Sequence, residues 1–131
     1  MKYFLPFLMG IVACSTKSSD TMPTTIPSGG TAEVPAGAVE TPFEDGSGLS
    51  AVRQTDAAGT VLLHGLLQNG QRTGTWTEYH PNGMVKSTVA YVAGKREGQF
   101  IELTNTGQLF RQCMYHQDAR HGDYKEYNFS T

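Results

Sequence analysis

One interval, 24 residues, constrains this chain more than any other feature. Gly74, Gly98 and Gly122 are spaced by it, as are Trp76, Phe100 and Tyr124. So are Tyr79, Leu103 and Tyr127, the pair Gly83 and Gly107, and the pair Tyr91 and Tyr115. The register also runs backwards, from Gly83 to Gly59 and from Tyr91 to Leu67 and Phe43. Glycines and bulky apolar side chains held in fixed columns mark a repeat architecture. Each unit of such a chain is too small to bury its own apolar face and must stack on the next.

Each period reads as two strands. Trp76-Thr-Glu-Tyr79 is aromatic and β-favouring. His80-Pro-Asn-Gly83 is a tight turn: proline presets φ, and Asn-Gly supplies positive φ. From Met84 to Tyr91 the side chains alternate, with Val85, Ser87, Val89 and Tyr91 on one side, the period of a strand. Residues 94–98, bounded by Gly94 and Gly98, read as a second turn. No stretch shows an apolar stripe at helical spacing behind a cap. The expected fold is all-β: a single antiparallel meander of hairpins over residues 43–131, with the columns of Gly74, Trp76, Tyr79, Gly83 and Tyr91 as its structural positions.

This pattern resembles the MORN repeat in its bacterial variant, roughly G-x-W-x-x-Y-x-x-N-G, then a strand ending in Tyr, then N-G-K-x-x-G. Here it runs GTWTEYHPNG, AYVAGKREG, QFIELTNTGQ and MYHQDARHGDYKEY. Phe100 and Leu103 replace the aromatic pair in one unit, and Asp118 replaces a turn glycine. The resemblance implies a β platform that contacts proteins or lipid, and it carries no catalytic residues across. Some bacterial relatives are described as antitoxins, so a protein that neutralises one specific partner is the alternative.

Ahead of the repeats the composition changes twice. Lys2 and the apolar run from Tyr3 to Val12 form a signal-like segment too short to span a bilayer. Ile11-Val-Ala-Cys14 resembles a bacterial lipobox, so residues 1–13 are expected to be removed and Cys14 to carry the lipid. Ser15 in the next position favours the outer membrane by the enterobacterial sorting rule. Residues 14–42 are rich in Ser, Thr, Pro, Gly and Ala and contain no aromatic residue. They read as a disordered tether, because they offer little apolar surface to offset the entropy of ordering.

Charge argues against nucleic acid. From residue 47 onward eight Lys and Arg stand against seven Asp and Glu, and the whole chain is at −2. His64, His80, His116 and His121 share no column, so no metal site or cofactor is expected, and no serine or cysteine has a nucleophile's setting. Cys113 falls in the column of Val89 and Gly65, as a small apolar residue would. Two charged columns do keep the period: Arg72, Arg96 and Arg120, placed in turns, and Glu78, Glu102 and Glu126. The arginines are the candidate surface for an anionic or protein partner, since a guanidinium fork suits carboxylate and phosphate. The glutamates are expected to be solvated.

Overall fold

The computed structural model describes residues 34–129. They form eight strands: β1 (Ala38–Pro42), β2 (Leu49–Thr55), β3 (Val61–Gln68), β4 (Gln71–Tyr79), β5 (Val85–Val92), β6 (Lys95–Leu103), β7 (Leu109–His116) and β8 (Ala119–Glu126). All lie in one sheet, in chain order, and every neighbouring pair is antiparallel. The meander expected from the sequence is therefore the fold.

Two kinds of turn alternate along it. The long turns span 56–60, 80–84 and 104–108 and share one hydrogen-bond pattern. The first amide donates to the carbonyl four residues on: Asp56 to Thr60, His80 to Met84 and Thr104 to Gln108, at 2.8–2.9 Å. The glycine amides of Gly59, Gly83 and Gly107 return to the carbonyls of Asp56, His80 and Thr104. Those glycines sit at φ of 84–86°, which is what their column supplies.

The short turns are Asn69-Gly70, Ala93-Gly94 and Gln117-Asp118, with φ of 47–49° at the first residue and 69–80° at the second. Positive φ at both positions matches the right-handed twist of the flanking strands. This corrects the turn read over 94–98. The reversal takes only Ala93 and Gly94, and Lys95 already begins β6. Gly98 instead lies inside that strand at φ 92°, as Gly74 and Gly122 lie inside β4 and β8. Pairing shifts close to each of them, between His64 and Leu66, Val89 and Tyr91, and Gln112 and Met114. The glycine column serves bulges, where an extra residue needs a left-handed backbone.

The sheet also starts earlier than the composition suggested. Ala38–Pro42, assigned above to the tether, pairs with β2 from Ala38↔Gln54 to Pro42↔Ser50. The amide of Phe43 donates to Leu49, so Pro42, next along the strand, turns its donor-less nitrogen outward. An edge strand accepts a proline there. The signal segment 1–13, Cys14 and the rest of the expected tether up to residue 33 lie outside the described residues.

The core occupies one face. Val52, Leu63, Leu67, Trp76, Val89, Tyr91, Phe100, Cys113 and Tyr115 are all buried there. They include the two columns that the 24-residue spacing pairs, Trp76 with Phe100 and Leu67 with Tyr91 and Tyr115. Trp76 is 0 % exposed. Its ring lies over Gly65: a Cβ at that glycine would stand 2.2 Å from Trp76 Cδ2. Its indole N–H donates to the Leu66 carbonyl at 3.1 Å, and Tyr91 meets it edge-on at 6.2 Å. Phe100 and Tyr115 repeat the edge-on pair at 6.2 Å. Burying an aromatic of this size contributes about 5 kcal/mol. Cys113 fills the slot opposite Phe100, and burial pushes its thiol pKa up, which suits an apolar filler rather than a nucleophile.

Candidate functional site

The arginine column is the site the sequence singled out, and the structure places it on the core face. Arg72, Arg96 and Arg120 are the second residues of β4, β6 and β8, not turn residues. Arg72 is 3 % exposed and Arg96 8 %. The guanidinium of Arg72 lies 3.9 Å above the Trp76 ring and 5.4 Å from the Tyr91 ring. That of Arg96 lies 4.0 Å above Tyr115. Each is a lid on an aromatic, held by attraction between cation and ring face. The phenols beneath are affected too. Burial raises the pKa of both Tyr91 and Tyr115, while the neighbouring arginine pulls the other way.

Arg96 is anchored further by the next short turn. Asp118 Oδ1 accepts from Arg96 N at 2.9 Å and from Nε at 3.1 Å, and the Asp118 carbonyl accepts from Nη2 at 3.3 Å. The Asp118 amide donates back to the Arg96 carbonyl, as the Gly94 amide does to the Arg72 carbonyl. Asp118 thus replaces a turn glycine and supplies a counter-ion. The expectation of three turn-placed arginines forming one partner surface is corrected accordingly. Arg72 and Arg96 are interior, and only Arg120, 5.2 Å from the Tyr124 ring, belongs to an exposed stretch.

The glutamate column accompanies them on the same face. Glu78 and Glu102 are half-buried rather than solvated. Lys86 pairs with Glu78 at 3.5 Å, and the Ser87 hydroxyl donates to it at 3.4 Å. Arg111 lies between Glu102, at 3.5 Å, and Glu126, at 3.9 Å.

The histidines are spread over the sheet. His64 stacks on Tyr79 at 5.6 Å. His80 Nε2 meets the Leu103 carbonyl at 3.0 Å. His116 Nδ1 lies 2.7 Å from Glu97, whose pKa is lowered first by the Gln117 amide and then by this histidine. His121 lies within β8 with its ring 6.2 Å from that of His116. Among the described residues no three His, Cys, Asp or Glu converge as metal ligands would.

The face away from the core carries a feature the sequence did not announce. Ala51, His64, Leu66 and Thr75, alternating with the buried residues of β2–β4, floor an open trough of about 810 Å³. Tyr79 and Arg53 stand at its sides. The available signal was the alternation itself: in LLHGLLQ the odd positions are core, which sends His64 and Leu66 to the other side.

Set against protein-family models, curated proteins and solved structures, the chain matches none of them. The resemblance to the MORN repeat stands on the residues quoted above.

Proposed function

We propose that this chain is a lipoprotein of the bacterial envelope, anchored through Cys14 at the outer membrane. In this reading it presents a MORN-type repeat sheet as a non-catalytic platform for a partner protein. The observation that carries the binding half is the trough over β2–β4. It is concave, largely apolar, and edged by a tyrosine and an arginine, residue types that anchor protein contacts. The burial of Arg72 and Arg96 moves the weight away from an extended anionic polymer and towards a protein seated on the opposite face. The lipobox-like Ile11-Val-Ala-Cys14 carries the anchoring half.

Both halves are testable in the cell. Cys14→Ser moves the protein out of the membrane pellet; a variant that stays there, with no lipid on the parent by mass spectrometry, ends the anchoring reading. A photo-crosslinker placed at Thr75 captures a defined partner, and the same probe at Asp45, in the β1–β2 loop, does not. Equal capture from both positions, or none from Thr75, ends the platform reading.

A further inference from the structure

The two borders of the sheet are built differently. β1 is five residues long and ends in Pro42; shortness and proline both stop an edge from recruiting another strand. β8 runs for eight residues without a proline, all of them exposed, and among the described residues it pairs with β7 alone. The hydrogen-bonding groups on its outer side can be placed. The Tyr127 amide donates to Phe110 on the β7 side, so by alternation Glu126 and Tyr124 aim their N–H and C=O groups away from β7. Arg120 is placed by its equivalents, since the carbonyls of Arg72 and Arg96 accept from Gly94 and Asp118 in the following short turns. The bulge at Gly122 faces β7. Its equivalent Gly74 is bulged against β3 but pairs in regular register with Tyr91 on β5.

We propose that the outer edge of β8 pairs with β8 of a second copy of this chain, antiparallel and two-fold about Asp123. The strand is self-complementary in that register, which is the argument for a copy rather than a foreign strand. Arg120 faces Glu126 of the partner subunit, and Glu126 faces the partner's Arg120, so two opposite-charge pairs form across the join. They add to contacts already made within the chain, Arg120 with the Tyr124 ring and Glu126 with Arg111. Tyr124 faces the partner's Gly122, an aromatic beside a glycine as Trp76 is beside Gly65. Facing residues that aim their backbone groups outward exchange hydrogen bonds in both directions. The axis runs through the sheet, so the two core faces lie on the same side. Moving it to Gly122 or Tyr124 parts Arg120 from Glu126. Asp123 meets its own copy at the axis, a like-charge contact that the flanking Lys125 softens and that keeps the pair weak. A single strand edge also buries less than a standard interface, which puts dissociation at roughly 10–100 µM. The dilute chain therefore unfolds as a monomer. Pairing at β8 leaves the trough over β2–β4 open and does not depend on what fills it.

The test uses the full chain with Cys14→Ser, which keeps a lipid out of the measurement. Sedimentation equilibrium from about 1 to 300 µM shows a monomer–dimer equilibrium. Arg120→Glu alone and Glu126→Arg alone each raise the dissociation constant about tenfold or more. An equimolar mixture of the two variants pairs again, since each chain then offers the charge that the other lacks. A parent that stays monomeric overturns the inference, as does a dimer that neither variant weakens. Growth past the dimer overturns it too, because a two-fold pair closes on itself. If a charge reversal does not fold, cysteines decide. Asp123→Cys oxidises to a linked dimer, since facing residues of a pair without mutual hydrogen bonds lie close enough to bridge. His121→Cys and Lys125→Cys link to each other in a mixture, and neither links to itself. Absence of the Asp123→Cys dimer, or self-linking of the other two, shows that β8 does not pair with its copy in this way.

Discussion

Trp76 and Tyr124 hold the same column, two periods apart, and share little else. Trp76 is 0 % exposed, with Gly65 beneath its ring, Arg72 above it and Tyr91 at its edge. Tyr124 has an arginine nearby as well, Arg120 at 5.2 Å, but is 37 % exposed. β4 lies between two strands, whereas β8 borders one among the described residues. The difference teaches that the repeat sequence supplies parts, not a core. A ring and an arginine four residues apart make a buried cation–ring sandwich only where a strand on each side closes the gaps. In a single sheet every strand is half of its neighbours' core.

The largest test of that comparison removes the rings. Trp76→Ala costs about 3–5 kcal/mol, enough to unfold a small domain. Tyr124→Ala stays within about 0.5 kcal/mol, as an exposed substitution should. Urea unfolding followed by far-UV circular dichroism separates them, and similar losses would show that exposure does not govern the column. The arginines give a smaller contrast. Arg96→Ala removes a ring lid and the side-chain ion pair with Asp118, at about 2–4 kcal/mol. Arg120→Ala is expected to be nearly neutral by the same urea unfolding. The smallest effect sharpens the turns. Ala93 holds φ 49°, a conformation asparagine tolerates better, so Ala93→Asn raises stability by about 0.5 kcal/mol. Unchanged or lower stability would mean that the flanking strands, not the turn residue, set this reversal.

Much of this was legible beforehand. The period, the two-strand unit, the long turn at His80–Gly83 and the core position of Cys113 followed from column spacing and alternation. The arginines read as turn and surface residues by their charge, whereas their parity sets their face. Arg72, Trp76 and Glu78 share parity in one strand and therefore share a face, and that signal was present in the sequence. Gly94 to Gly98 read as one turn because two glycines bracket it. Only the pairing shift shows that Gly98 serves a bulge. β1 was hidden by its composition, since an edge strand that ends in proline resembles a linker. The trough was out of reach, because a concavity depends on how strands lie side by side.

The long turns carry one more consequence. Asn82 Nδ2 donates to the Asn105 carbonyl at 2.7 Å, and His80 reaches the Leu103 carbonyl, so one turn grips the next across a distance of 23 residues in sequence. A hook of that kind works only if the following unit brings the right carbonyl to the same place. Gain or loss of a few residues within a unit would carry the wrong atom under it. Such a chain can lengthen or shorten through evolution by whole modules, as a ruler is extended by full divisions, and single insertions should be confined to its ends.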